Sequence, residues 1–386
     1  MELRKLQQYV RLLVTLEETD SPVISCYLNL QAGMPPAREF LNDRAQLIRN
    51  SLCGKARRDF EMALLRIQEY IALDLPSSIQ GVAIFARGGL KPLFLPVEFH
   101  IPVPNWFVMN STPNVYHLVE LKDTYHRFVI MICSAEKVRI LEVNLGAVTE
   151  QVWKERPDLR KRVGRGWTKQ RYQRRWQNQI EQFIKESVQI LEELIRARGH
   201  THLVLAGNRR ITARVRATLP WHVTAKLIDT LDHSRSEISK VVAAAIASFV
   251  EQEEAESQAA VARLLQGIHS NGLAVAGSAD TLKALEEFRA DMVIIAKEYN
   301  PDPGWSCTAC GALGPDAAVP SNECPQCGAQ RLRAIDLKEE MARMAEACGC
   351  TVEVVNSSKI LKQLGGIGAL LRYTQVSNPR RDLVQT

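Results

Sequence analysis

The feature of this 386-residue sequence that most restricts its fold is a pair of CxxC motifs separated by thirteen residues. Each CxxC turn offers two thiolates from one short loop, and a glycine follows each pair, at Gly311 and Gly328. Zinc in structural sites binds four such ligands as a tetrahedron, with Zn–S distances of about 2.3 Å. The spacing therefore predicts that the chain folds around one structural zinc ion, Zn2+, held by Cys307, Cys310, Cys324 and Cys327.

The remaining cysteines are not arranged as a disulfide framework. Cys26, Cys53 and Cys133 each stand alone, and the spacing of Cys348 and Cys350 is a poor zinc or thioredoxin pattern. Free thiols beside a metal site are typical of a reducing compartment. The N-terminus lacks a basic tip followed by an apolar block, and no apolar run approaches the roughly 18 residues of a membrane span. We therefore expect a cytoplasmic protein.

The positive charge of the chain is concentrated in one segment. Residues 154–175 contain ten lysines and arginines against two acidic residues, a charge of +8, which leaves −2 on the rest of a chain of net charge +6. Cations neutralise phosphates and aromatic rings stack on bases, so this segment favours a nucleic-acid contact over a solvated helix face with capping glycines. The predicted RNA-binding residues are Arg162, Gly164, Arg165, Gly166, Trp167, Thr168, Lys169, Arg171, Tyr172, Arg174 and Arg175.

Helix-like and strand-like stretches alternate along the chain, which predicts an α/β protein. Apolar residues recur at three- and four-residue spacing from Trp176 until Gly199, and they predict a long amphipathic helix after the basic segment. Hairpins are predicted within 81–97 and 127–143, whereas the proline- and asparagine-rich stretch 102–114 is predicted to be irregular. The expected organisation is three mixed α/β domains, at 1–115, 116–268 and 269–386, the third with a zinc-knuckle insert at 305–330.

The segment GRGWTKQRYQRRW, residues 164–176, resembles the GRGGQ loop and helix of the archaeal and eukaryotic class-one peptide-chain release factors. The strand HLVLAG after it, the segment LAVAGSADTLKALEEFRADMVIIAKEY, the four-cysteine insert and the ending VEVVNSSKILKQLGGIGALLRY resemble the middle and C-terminal domains of the same family. The resemblance extends over roughly residues 120–373. Residues 1–115 are more similar to the divergent N-terminal domain of bacterial relatives of these factors.

This resemblance implies a ribosome-associated translation factor from a superfamily that includes Pelota-like and ribosome hibernation members. Such a factor occupies the ribosomal A site and directs its basic loop toward ribosomal RNA or a tRNA acceptor end. Its C-terminal domain contacts a translational GTPase. The partners implied are therefore the ribosome, rRNA, tRNA and such a GTPase, without a membrane.

Two departures from the family pattern change the expected activity. The NIKS and YxCxxxF motifs that read stop codons are absent, and the tripeptide Gly-Gly-Gln is replaced after Gly166 by Trp167 and Thr168. Because tryptophan rarely adopts a positive φ, Lys169 or Gln170 would have to replace the family's glutamine through a shifted loop, and Gln170 is the candidate catalytic residue. We expect a rescue, hibernation or stress factor. The alternatives are a peptidyl-tRNA hydrolase or release factor with a modified loop, and an RNA-binding module that acts off the ribosome.

Overall fold

The computed structural model describes residues 3–73, 75–76, 78–89, 91–145, 147–155, 169–232, 237–270, 272–315 and 323–373. The chain divides into two compact units. We call residues 1–3 and 125–253 the middle unit, and residues 4–124 and 254–386 the terminal unit. The mixed α/β class is confirmed in both units. The three predicted domain ranges stay a prediction.

The first part of the terminal unit is a four-stranded antiparallel sheet in the order β3-β2-β1-β4. Helices α2 and α3 pack on it around a core that includes Leu41, Phe60, Leu64 and Ile84. The predicted hairpin within 81–97 is confirmed as β2 and β3. The elements are α1 (Leu3–Val14), β1 (Val23–Asn29), α2 (Met34–Ser51), α3 (Gly54–Ala72), β2 (Gly81–Arg87), β3 (Leu93–Phe99), β4 (Trp106–Asn110) and α4 (Tyr116–Thr124).

The prediction that residues 102–114 are irregular is wrong at β4. This strand pairs antiparallel with β1, and Val23 lies opposite Asn110. Prolines flank the strand without interrupting it, since Pro104 precedes it and Pro113 follows it. Pairing with a buried neighbour therefore outweighs the local preference of proline and asparagine for turns, a preference that is only a weak prior.

The middle unit contains a mixed five-stranded sheet in the order β7-β6-β5-β8-β9. Strands β5, β8 and β9 are parallel, whereas β6 and β7 continue the sheet antiparallel. Helices α5 and α6 cover one face, and the first part of α8 covers the other. The elements are β5 (Phe128–Cys133), β6 (Lys137–Asn144), β7 (Ala147–Glu155), α5 (Lys169–Arg198), β8 (His202–Gly207), α6 (Arg209–Thr218), α7 (Trp221–Thr224), β9 (Leu227–Asp232) and α8 (Ile238–His269).

The predicted amphipathic helix is α5, and its apolar spacing is confirmed as a core face. Ile180, Phe183, Ile184, Val188, Leu191 and Ile195 are buried, and Leu194 packs against them half-buried. They lie on the sheet beside Val129, Met131 and Leu203. A helix with this periodicity buries a stripe wide enough to cover several strands, and that burial holds α5 in place.

The last part of the terminal unit has a sheet in the order β10-β16-β11-β15 and a small sheet in the order β13-β12-β14 that carries the cysteines. Strands β11 and β15 are parallel, and β16 pairs antiparallel with β10 and β11. The elements are β10 (Ala274–Ala276), α9 (Ser278–Glu286), β11 (Ala290–Ala296), β12 (Gly304–Cys307), β13 (Leu313–Pro315), β14 (Leu332–Ile335), α10 (Leu337–Ala347), β15 (Thr351–Val355), α11 (Lys359–Gln363) and β16 (Ile367–Leu371).

The two parts of the terminal unit meet at helix α4. The buried carboxylate of Glu339 on α10 accepts hydrogen bonds from the backbone N–H groups of Val115 and Tyr116, at the start of α4. At the other end of α4, Asp123 accepts a hydrogen bond of 2.7 Å from the backbone N–H of Val354. The first N–H groups of a helix have no partner within the helix, and here a side chain from a distant part of the chain supplies one.

Candidate functional site

The two CxxC turns bring their four sulfur atoms together. The Sγ atoms of Cys307 and Cys327 lie 3.7 Å apart, and those of Cys310 and Cys324 lie 3.6 Å apart. All four Sγ atoms lie within 4.8 Å of one another. The structure thus confirms that the cysteines chosen from their spacing converge on one point.

The two turns have the same backbone geometry. In the first, Gly311 N–H donates to the Cys307 carbonyl at 2.8 Å, and Cys307 N–H donates to Ala312. In the second, Gly328 N–H donates to the Cys324 carbonyl at 2.8 Å, and Cys324 N–H donates to Ala329. Both glycines have positive φ, +77° and +70°, a conformation that favours glycine over residues with a side chain.

The geometry fits a tetrahedral metal site with four thiolates. With Zn–S bonds of about 2.3 Å, the edge of a regular tetrahedron is about 3.8 Å, close to the observed sulfur separations. The backbone N–H groups of Cys310 and Ala309 lower the pKa of the Cys307 thiol to about 6, which favours the thiolate form that binds metal. Trp305 packs beside the cluster and Leu332 lies against it. Within the described residues, no histidine or carboxylate joins this group of ligands.

The basic segment begins at the end of β7 and continues into the first turns of α5. Residues 156–168 lie outside the described residues, and with them the predicted RNA-binding residues Arg162, Gly164, Arg165, Gly166, Trp167 and Thr168. The backbone of Lys169, Gln170, Arg171 and Tyr172 belongs to the first turn of α5, and their side chains lie outside the described part. Arg174 and Arg175 follow on α5 and are exposed.

Ion pairs and one stacked ring surround the start of the basic segment. Lys154 on β7 pairs with Glu186 on α5, and Glu155 pairs with Lys137 at 2.6 Å. The guanidinium of Arg139 lies 5.1 Å from the centre of the Trp153 ring, which is 57% exposed. Lys154 belongs to the basic segment by sequence, but this pairing assigns it to the attachment of β7 to α5.

A buried polar group near the end of α5 could not be found from the sequence. The Nε2 atom of fully buried His200 lies 3.1 Å from a carboxylate oxygen of Glu142, and Arg198 donates to the other oxygen at 2.5 Å. Burial lowers the pKa of His200, although the Glu142 carboxylate acts in the opposite direction. The group joins β6 to the segment before β8 and is buried, so we assign it a structural role.

Two known protein families together match most of the chain. Residues 113–254 match the family described as "Bacterial archaeo-eukaryotic release factor family 10", and residues 254–375 match the family described as "eRF1 domain 3". The two matches meet at residue 254 and occur in the order of a release factor. The chain belongs to the archaeo-eukaryotic release factor superfamily. It is related to the release-factor-like translation factors, and both the basic segment and the cysteine cluster lie within the matched residues.

Solved structures of the same superfamily share low sequence identity with the chain. An archaeal translation termination factor, aRF1, is 14% identical, with coverage of 97% of this chain and 99% of that chain and a TM-score of 0.29. Pelota from Archaeoglobus fulgidus is 13% identical, with coverage of 96% and 92% and a TM-score of 0.36. Dom34 from S. cerevisiae is 10% identical, with coverage of 77% and 82% and a TM-score of 0.43. Because these identities and TM-scores are low, membership of the superfamily rests on the two family matches alone.

No curated protein matches the chain. Among the described residues, no helix combines the length and the apolar character that a membrane crossing requires.

Proposed function

We propose that this protein is a ribosome-associated factor that binds the ribosomal A site and acts in rescue, hibernation or stress without hydrolysing peptidyl-tRNA. The observation that carries the proposal is that the basic segment, with its aromatic residues, leads into the N-terminal end of α5 inside the match to a release factor family. This is the position at which release factors present their catalytic loop. We further propose a cytoplasmic location and contact with a translational GTPase through the C-terminal domain, on the strength of the family alone.

The loss of hydrolysis is argued from the residues of the loop. Where Gly-Gly-Gln would stand, the chain has Gly166, Trp167 and Thr168. The second glycine allows a backbone conformation that tryptophan rarely adopts, and threonine is too short to replace glutamine. Catalysis by positioning tolerates little displacement of the catalytic group, because a shift of about 1 Å can lower the rate about 10²-fold. The second candidate function, hydrolysis with Gln170 in the catalytic position, is favoured only by the proximity of that glutamine.

Ribosome co-sedimentation tests the binding part of the proposal. The variant Arg171→Glu/Arg174→Glu/Arg175→Glu reverses three charges of the basic segment, so we expect it to lose most ribosome binding. Wild-type binding should also weaken steeply with salt, because phosphate contacts release counterions. The matched control is Lys55→Glu/Arg57→Glu/Arg58→Glu, which reverses three exposed charges on α3. Equal sedimentation of the two variants would show that the loop is not the contact.

Peptide release from loaded ribosomes tests the chemical part. For a factor that only binds, release stays at background, and Gln170→Ala changes neither release nor binding. Release above background that falls in Gln170→Ala, with ribosome binding retained, would establish the hydrolase instead. Binding to free RNA with no co-sedimentation would establish the third alternative, a module that acts off the ribosome.

We also propose that the four-cysteine cluster binds one zinc ion with a structural role. Its support is the all-sulfur ligand set and the match between observed and tetrahedral sulfur separations. Metal analysis of the purified protein should give one zinc per chain, and Cys307→Ser/Cys324→Ser should remove it. Cys53→Ser, which changes an exposed cysteine outside the cluster, should keep the full metal content. A full zinc content in the double variant would contradict the site.

A further inference from the structure

Helix α6 carries a second concentration of positive charge, separate from the basic segment. Residues 208–222 contain four arginines and no acidic residue. Arg209, Arg210, Arg214 and Arg216 are all exposed, whereas Ile211, Thr212 and Val215 between them are buried. The helix is therefore anchored by its apolar face and presents mainly arginine and alanine to the solvent.

The arginines of α6 are not used to stabilise the fold. Within the described ranges, none of the four guanidinium groups has an ion pair or a side-chain hydrogen bond, whereas Arg198 in the same unit pairs with Glu142. Arg209 and Arg210 stand in the first turn, where the helix dipole disfavours positive charge, and this turn has no acidic residue. Their position costs helix stability, so a partner outside the chain gives the better account of them.

The spacing along α6 places all four charges on one side. At 3.6 residues per turn, the four Cβ positions fall within an arc of about 160°, with Ala213 and Ala217 between them. Arg210 and Arg214 are separated by about 6 Å along the axis, and Arg209 and Arg216 by about 10 Å. An extended row of charges without acidic neighbours matches a polyanion better than it matches a single small anion.

An aromatic residue stands at the end of this helix. Trp221 begins α7, three residues after α6 ends at Thr218, and its side chain is 83% exposed. An indole this exposed contributes little to a core. The neighbouring His222 pairs with Glu192 at 3.2 Å, which ties the start of α7 to α5 and leaves the indole in the solvent. Unpaired bases stack on exposed aromatic rings, and arginines neutralise the phosphates of the same strand.

We propose that the exposed face of α6 together with Trp221 is a second RNA-binding surface, which contacts the phosphates of a single-stranded RNA segment and stacks one base on the indole. The inference deepens the proposed function, on which it rests for the expectation that the partner is RNA. An acidic protein would satisfy the arginines but would leave the exposed tryptophan without a role, so the observations favour RNA.

Binding of a fluorescently labelled 20-nucleotide uridine RNA to the full chain tests this surface. Arg210→Gln/Arg214→Gln should weaken binding on the order of tenfold and reduce the slope of log K against log salt by roughly 0.7 for each phosphate that the variant no longer neutralises. The matched control, Arg57→Gln/Arg58→Gln on α3, removes the same charge from another exposed arginine pair and should bind RNA as the wild type does. All four side chains are exposed, so far-UV circular dichroism should be the same for all variants.

The tryptophan is tested separately. Trp221→Ala should weaken RNA binding by about 5- to 150-fold without changing the salt slope, since stacking displaces no counterions. Trp221→Phe, which keeps an aromatic ring, should retain most of the affinity. Wild-type affinity in both the arginine and the Trp221→Ala variants would overturn the proposal, as would polyglutamate competing as well as uridine RNA.

The assay uses free RNA and therefore separates this inference from the proposed function. If the protein fails to sediment with ribosomes but the α6 variants lose RNA affinity, the A-site function fails and the second surface stands. If sedimentation depends on the α5 arginines but the α6 variants bind RNA normally, the proposed function stands and the second surface fails.

Discussion

Helix α5 of the middle unit and helix α4 of the terminal unit are each held in place by a different kind of interaction. In the middle unit, α5 lies on the sheet through a continuous apolar face, with Leu191 fully buried. In the terminal unit, α4 is held at its two ends by hydrogen bonds in which the side chains of Glu339 and Asp123 accept from backbone N–H groups. Apolar contact is non-directional and scales with area, whereas these hydrogen bonds need both partners in place. The apolar residues that hold α5 recur along the sequence at a regular spacing, whereas the side chains that hold α4 show no such repetition.

The strongest test of this difference is a cavity in the apolar face. Leu191→Ala should lower the free energy of unfolding of the middle unit by about 2 to 5 kcal/mol, because it removes buried methyl groups and leaves a void. Hydrogen exchange of β8 measures the effect locally. Leu194→Ala, the same change at a half-buried position of the same helix, should cost less. Equal costs at the two positions would mean that burial does not determine the stability of this unit.

The corresponding test in the terminal unit removes the buried carboxylate. Glu339→Ala leaves the N–H groups of Val115 and Tyr116 without their acceptor, which should cost about 1 to 3 kcal/mol. Faster hydrogen exchange in α4, with β8 unchanged, is the expected result. Glu340→Ala is the control, since its partner Arg343 lies on the same helix. Protection of α4 as in the wild type would show that apolar contact alone positions this helix.

The stability of the terminal unit should depend on pH through Glu339, which gives a second test of the hydrogen bonds that hold α4. Burial raises the pKa of Glu339 to about 8 from an ordinary 4.5, although the Val115 and Tyr116 N–H groups lower it. The folded state then holds a proton that the unfolded state has lost, so the stabilisation present below pH 4.5 is lost as pH rises to about 8. Glu339→Gln, which does not titrate, should lack this loss. Urea unfolding of both proteins at about pH 5 and about pH 8 measures it, and parallel behaviour would contradict the shifted pKa.

The smallest effect is expected at an exposed polar contact of the terminal unit. Arg333 on β14 pairs with both carboxylate oxygens of Glu18, at 2.7 and 3.0 Å, but the two side chains remain about one third to one half exposed. Arg333→Gln should therefore cost less than about 1 kcal/mol, and the cost should shrink with added salt. Thermal unfolding at low and high salt measures it. A loss as large as that of Glu339→Ala would show that exposure does not separate these polar contacts.

The parts of the fold that follow from local repetition were predictable. The spacing of apolar residues on α5 identified its buried face, and the two CxxC turns identified four sulfurs that meet. Strand β4 was mistaken for irregular chain, because its pairing with β1 comes from a segment about 80 residues away. The exposed arginines of α6 were visible in the sequence, but only the burial of Ile211 and Val215 shows that they share the outer face.

The sequence by itself therefore determined the helices with a marked apolar period, the four cysteines whose sulfur atoms converge and the charge of the basic segment. These properties depend on spacings of a few residues, which backbone geometry converts directly into position. Only the tertiary structure decided that Glu339 caps α4 and that Asp123 binds the backbone of β15. Each of these contacts joins residues more than two hundred positions apart, and a lone acidic residue carries no local signal of the N–H group that it will meet.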